Sequence, residues 1–272
     1  MAKKKPIRVR SVWISDVHLG FNGCQADKLL DFLHCVETDY LFLVGDIIDF
    51  WSIKKSPYWP QAHTNVIRSI LGKAKHNTKV IYVPGNHDEE MRDCVGHVFG
   101  NLEIHRDYVH TTADGKKLLI MHGDEFDMVI KHSPMLANLG SWAYEKLLSL
   151  NHFVNRFRNL FNLSYWSLAA FLKHKVKNAV SYIGSFEEAL AHCAKERGVD
   201  GVVCGHIHHA EIRDIDGVLY CNDGDWVESC TAMFEHANGD LELVHWAKLE
   251  EQQLQLTIEQ HDLAAETDRQ AA

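Results

Sequence analysis

Val9-Arg10-Ser11-Val12-Trp13-Ile14-Ser15-Asp16-Val17-His18 decides the fold: a run rich in β-branched and aromatic residues ends in a turn bearing a carboxylate and an imidazole. The pattern recurs along the chain. Tyr40 to Val44 leads into Gly45-Asp46, Lys79 to Val83 into Gly85-Asn86-His87-Asp88, Lys117 to Met121 into His122-Gly123-Asp124, and Gly201 to Cys204 into Gly205-His206-Ile207-His208. Short apolar runs of this kind read as buried strands. Between the first three, Ala26 to Val36 sets Leu29, Leu30, Leu33 and Val36 on one helical face, and Pro60 to Ala74 does the same with Val66, Ile67, Ile70 and Leu71. Strands alternating with helices make an α/β sheet. Ligands in such sheets bind outside the carboxyl ends of the strands, so motifs distant in sequence converge there.

Val218 to Cys221, Thr231 to Glu235 and Leu241 to Trp246 read as later antiparallel strands, the last two joined through the Asn238-Gly239 turn. The expected architecture is a layered αββα sandwich. The 272 residues contain enough apolar material for one domain with a sub-domain. A net charge of −9 argues against a nucleic-acid partner bound through overall positive charge. The seven cysteines include no Cys-x-x-Cys pair, which fits a reducing compartment. No apolar run of signal-peptide length follows the charged start, and no stretch is long and apolar enough to span a membrane. A cytoplasmic location is therefore expected.

Aspartate and histidine together suit Mn, Fe or Zn, and one carboxylate can bridge two cations about 3.5 to 4 Å apart. Such a pair clamps a phosphoryl oxygen and brings a water toward hydroxide near neutral pH. Asn86 would add a neutral amide oxygen, and the glycines before Asp46, Asn86 and His206 allow the turns that aim these side chains. His209, His63, His105, His110 and His245 are read as structural or surface residues.

The ordered set from Asp16 to His208 resembles the calcineurin-like metallophosphoesterase superfamily, whose pattern is Asp-x-His, Gly-Asp, Gly-Asn-His-Asp, His and Gly-His-x-His. The resemblance implies a four-layer αββα sandwich holding two divalent ions, Mn2+ in the first instance, with Fe or Zn compatible. It assigns one ion to Asp16, His18, Asp46 and His208 and the other to Asp46, Asn86, His122 and His206, with Asp46 as the bridge. It makes His87 a general acid or transition-state donor, and Asp88 the group that orients it.

Between His122 and His206 lies a long insert whose apolar residues, from Leu136 and Trp142 to Trp166 and Phe171, fall at helical spacing over Pro134 to Leu172. A helical cap at about 127–183 is expected within a metallophosphoesterase domain of residues 1–248, followed by a polar acidic tail at 249–272. Val129 to Ile183 carries seven basic residues against one acid, Glu145. A basic, aromatic cap suits an anionic amphiphile, or peripheral contact with the inner face of the cytoplasmic membrane. It serves equally as a lid packed on the sandwich.

Ile14-Ser15-Asp16-Val17-His18-Leu19, Val44 to Trp51, Met121 to Asp124 and the placing of the insert are similar to the UDP-2,3-diacylglucosamine pyrophosphatase branch. Those enzymes release UMP and leave a lipid monophosphate. The resemblance makes a glycolipid phosphoester the expected substrate, with Asp49, Trp51, Lys173, Lys175 and Lys177 as candidate substrate contacts. One departure bears on the substrate: the lipid A enzymes carry Arg after the Asn ligand, where this chain has His87. A soluble phosphodiester, nucleotide or phosphoprotein substrate is the alternative. A non-catalytic scaffold is disfavoured by the complete ligand set.

Overall fold

The computed structural model describes residues 6–127 and 168–249, with side chains from 182 onward in the second stretch. The chain forms two compact units, Met1–Asp124 with Cys193–Ala272, and Glu125–His192.

The first unit is built on β1 (Ile7–Ile14), α1 (Ala26–Cys35), β2 (Val36–Val44), α2 (Phe50–Lys55), α3 (Gln61–Lys75) and β3 (Lys79–Val83). Next come β4 (Val98–Phe99), β5 (Leu102–Ile104), β6 (Tyr108–Thr111) and β7 (Lys117–Ile120). After the insert follow β8 (Gly201–Cys204), β9 (Glu211–Ile215), β10 (Val218–Asn222), β11 (Thr231–Glu235) and β12 (Leu241–His245). One sheet has the order β12-β11-β1-β2-β3-β5-β4, the other β6-β7-β8-β10-β9. The strands β1, β2, β3 and β5 run parallel, as do β7, β8 and β10.

Alternation along β2 shows why the layers stack. Leu41 and Leu43 join a core with Leu29, Phe32 and Leu33 of α1 and Val66 and Ile70 of α3. Phe42 and Val44 face the other way, packing with Trp13, Ile81, Leu118, Ile120 and Val203, so that one core closes between the two sheets. Trp13 and Phe42 stack with ring centroids 5.0 Å apart, a contact worth roughly 1 kcal/mol beyond area burial. Helices, seven-stranded sheet and five-stranded sheet supply three of the four expected layers.

The second unit includes most of α4 (Leu168–Glu196), in which the Tyr182 hydroxyl donates to Asp127. Of the cap expected at about 127–183, residues 128–167 lie outside the described residues, as do the side chains of Lys173, Lys175 and Lys177 and the acidic tail from Glu250 onward.

Several sequence expectations are corrected. In α3 the buried line is His63, Val66, Ile70 and Ala74, and Leu71 is half exposed, because one residue's step of about 100° carries it off the packed face. Val36 belongs to β2, entering extended backbone directly from α1. The strand β10 is antiparallel only to β9 and runs parallel to β8, since the intervening β9 reverses the chain once before β10 returns.

A polar cluster sits among these layers. The buried Glu235 carboxylate accepts from Ser11 Oγ and Arg10, from the Ala113 amide at 2.7 Å and from His110 Nε2 at 2.9 Å. Burial alone would raise its pKa, but the hydrogen bonds from His110 and Ser11 outweigh it and hold the carboxyl below its usual value. A depressed carboxyl stabilises the fold above the unfolded pKa, about 4.3, and that contribution is lost as pH falls through the folded value. Glu235→Gln should therefore cost roughly 3 kcal/mol at pH 7 in urea unfolding, and the gap to wild type should narrow as the pH falls below about 4. A pH-independent gap would contradict the assignment.

Candidate metal centre

The loops after β1, β2, β3, β7 and β8 bring Asp16 and His18, Asp46, Asn86 to Asp88, His122, and His206 and His208 to one end of the two sheets. Backbone geometry sets these residues apart. Asp16, His18, Asp46, His206 and His208 all adopt left-handed φ, between 49° and 70°. For residues with a Cβ this costs about 1 kcal/mol or more each, and it persists only where the surroundings impose it.

The motif carboxylates Asp16 and Asp46 each head a group of ligand atoms. Donor atoms of Asp16, His18 and His208 lie within 4.8 Å of one another, as do those of Asp46, His122 and His206. The His208 Nε2 stands 3.1 Å from Asp16 Oδ1, and His122 Nε2 stands 3.4 Å from Asp46 Oδ2. Asp46 Oδ2 is also 3.9 Å from His18 Nε2, so this carboxylate lies between the groups. Among the described residues, the buried atoms Asp16 Oδ1, His18 Nε2, Asn86 Oδ1 and His122 Nε2 have no hydrogen-bond partner. Leaving buried polar atoms unpaired costs roughly 1 to 3 kcal/mol each. A pair of divalent cations is the ligand that such a nitrogen and oxygen donor set fits.

The second nitrogen of His122 is spoken for. His122 Nδ1 lies 2.9 Å from the Val44 carbonyl, which orients Nε2 toward Asp46. Burial opposes a charge on His122, but the Asp46 carboxylate outweighs it and raises the pKa to about 10. His208, facing Asp16, is raised against burial to about 9.

Asp88 and Asp49 both depart from the parts expected of them. The buried Asp88 carboxylate accepts amides of Gly85 at 2.6 Å, Ile47 at 2.8 Å, Asp46 at 3.3 Å and Ile48 at 3.4 Å, together with the Tyr82 hydroxyl. It clamps the Asp46 loop to the Asn86 loop. The residue beside His87 is Asp49, whose Oδ1 is 3.1 Å from His87 Nδ1 and whose Oδ2 is 3.3 Å from His18 Nδ1. Asp49 also caps α2 through the Ser52 amide at 2.7 Å and is 3% exposed, so it positions histidines and is not open to a substrate. Trp51, 47% exposed, lies with its ring 4.2 Å from that of His87.

Ser15, Tyr82, Asp223 and Asp225 were not singled out from sequence. Ser15 Oγ is 2.6 Å from both Asp16 Oδ2 and Asp223 Oδ1, and burial together with the Asp16 charge drives the Asp223 carboxyl well up. Asp225 receives the amides of Val227 at 2.8 Å and Glu228 at 2.5 Å, shaping the turn from which the Trp226 amide reaches the Asp16 carbonyl at 3.0 Å. The signal was present, for Asn222-Asp223-Gly224-Asp225 is one more acidic loop directly after a strand.

A family model described as calcineurin-like phosphoesterase matches residues 9–210. The chain belongs to the calcineurin-like phosphoesterase family. This phosphoesterase is 27% identical over 116 residues to the UDP-2,3-diacylglucosamine hydrolase of Blochmanniella pennsylvanica (strain BPEN), covering 42% of the chain and 46% of that protein. It is 28% identical over 118 residues to the UDP-2,3-diacylglucosamine hydrolase of Aliivibrio fischeri (strain MJ11), covering 42% and 47%. Each match spans about half the length of the curated relative. A solved archaeal phosphodiesterase aligns over 86% of the chain and 98% of its own, with 14% identity and a TM-score of 0.41.

Gly45 adopts φ +79°, and a Cβ there would fall 2.2 Å from His122 Nδ1. Gly45→Ala in this phosphoesterase should displace His122 from the Val44 carbonyl and weaken metal retention roughly 10- to 100-fold. Equilibrium dialysis checks this, and unchanged metal content would contradict the described packing.

Proposed function

We propose that this chain is a di-metal hydrolase of phosphoester or pyrophosphate bonds, acting on a nucleotide-linked glycolipid of the UDP-2,3-diacylglucosamine kind and releasing UMP and a lipid monophosphate. The observation that carries the reaction class is the pair of adjoining Asp/His groups, buried at Asp16, His18, Asp46 and His122, with unpaired donor atoms in both. Asp16, His18, Asp46 and His208 would hold one cation, and Asp46, Asn86, His122 and His206 would hold the other. Mn2+ suits this donor set, as do Fe and Zn. Bound there, the two ions supply Lewis acidity at a phosphoryl oxygen and a hydroxide nucleophile near neutral pH.

The remaining work falls to the protein's own groups. Burial opposes a charge on His87, but the Asp49 hydrogen bond and the Asp46 charge raise its pKa, which suits the ring to deliver a proton to the leaving oxygen. Asp49 fixes the ring through Nδ1, leaving Nε2 to face the substrate. Trp51 offers an exposed aromatic face beside His87. Lys173, Lys175 and Lys177 are proposed to meet phosphate or headgroup oxygens.

The glycolipid assignment draws on the two named relatives and on the apolar, basic insert. Work at the inner face of the cytoplasmic membrane follows from that substrate. Peripheral contact suffices, since among the described residues no helix is long and apolar enough to cross a membrane. His87, standing where the lipid A enzymes carry Arg, favours as a second reading a soluble phosphodiester or nucleotide substrate.

Asp46→Asn should lower both bound metal and diesterase rate, the rate by at least about 100-fold, as expected when a group stabilising transition-state charge is lost. Retention of both would remove the bridging role. Separately, UDP-2,3-diacylglucosamine should be hydrolysed with a higher kcat/KM than its deacylated analogue, because acyl binding contributes through the transition state. Equal values would favour the soluble-substrate reading.

A further inference from the structure

We propose that the Arg92–Asp124 ion pair is a positioning device for one of the two cation sites, that of Asp46, Asn86, His122 and His206. The inference rests on the di-metal reading above. Arg92 stands in the 3-10 helix Glu89–Cys94, which leaves the Asn86 loop, and Asp124 stands two residues beyond His122. Arg92 Nη2 lies 2.8 Å from both Asp124 carboxylate oxygens and reaches the Pro84 carbonyl at 3.5 Å. The pair thus joins the two loops that carry the amide and imidazole ligands of the same cation.

Two features separate this pair from an ordinary surface contact. Its side chains are only 22% and 14% exposed, so the charge-assisted bond is shielded from water and salt. Among the described residues, Arg92 Nε is buried with no hydrogen-bond partner, a desolvation cost that an exposed arginine would not incur. Other loops of the centre are tied by comparable bonds. Asp88 clamps the Asn86 loop to the Asp46 loop, and the Gly205 amide donates to the His122 carbonyl at 3.2 Å. Asn86 is the ligand that most needs such a tie. Its neutral amide draws a cation less strongly than a carboxylate does, so its contribution depends on being held in place.

The test is titration of the chelator-stripped full chain with Mn2+ against a fluorescent chelator. Wild type should take up two ions. Arg92→Ala and Asp124→Asn should each weaken one ion roughly 10- to 100-fold while leaving the other unchanged, and the combined variant should be no weaker than either alone. Arg92→Lys, which keeps the charge and loses the planar group, should weaken the same ion less and serves where the alanine variant fails to fold. Adding Arg92→Ala to His122→Ala should cost the remaining ion nothing. Wild-type affinity for both ions in the Arg92 and Asp124 variants, or equal weakening of both, overturns the proposal. Fewer than two ions in wild type overturns the di-metal reading itself.

Discussion

Asp46 Oδ2 stands 3.4 Å from His122 Nε2 and 3.9 Å from His18 Nε2, while Oδ1 accepts the His87 amide at 2.8 Å. One carboxylate thus meets groups delivered by β1, β3 and β7, and it can do so only if the end of β2 is held still. The sheet supplies that rigidity: β2 lies between β1 and β3 in parallel register, pairing Phe42 with Trp13 on one side and Ile81 on the other. Both faces of β2 are packed, so its carboxyl end has no soft direction in which to shift.

The loops beyond the strands carry the opposite character. Five ligand residues sit in left-handed backbone, which local preferences resist. What imposes it is a set of tertiary bonds: Asp16 N to the Gly45 carbonyl at 3.1 Å, His18 N to the Asp46 carbonyl at 2.9 Å, and His206 N to Asp16 Oδ2 at 2.9 Å. Each loop is held in its strained shape by its neighbour, so the ligands are positioned collectively and the core beneath them supplies the stability.

That division explains how much was legible in the sequence. The central strands β2, β3 and β8 announce themselves because burial on both faces demands unbroken apolar runs, and the motifs mark their ends. The edge strands β4, β6 and β9, and β5 beside β4, are short or, like Glu211–Ile215, mostly polar, and leave no periodic signature. Within the centre, the candidate ligand types could be picked out because metal chemistry of this kind favours Asp, His and Asn. The supporting roles were not. Asp88 follows His87 in sequence, yet its side chain turns back to the loop amides, while Asp49 reaches His87 from the loop after the neighbouring strand β2. Adjacency along a chain says little about where a side chain points once the backbone leaves regular structure.

The charges of the centre follow from the same geometry. Asp16, Asp46, Asp49, Asp88 and Asp223 are all buried close together. Burial pushes every one of them toward neutrality, and partners decide which yield. Asp88 and Asp223, surrounded by amides and hydroxyls and facing another carboxylate, are raised. Asp16, Asp46 and Asp49, each facing histidines, are held below the usual carboxylate range despite their burial. The counterpart is that His122 and His208 rise to about 10 and about 9, so protons occupy the nitrogens that a cation would need. Protons and cations therefore compete for one negative potential, and cation uptake must release protons and weaken as pH falls. The carboxylates that create this potential are the ones that face histidines, whereas those that relinquish their charge face hydroxyls, amides and another carboxylate.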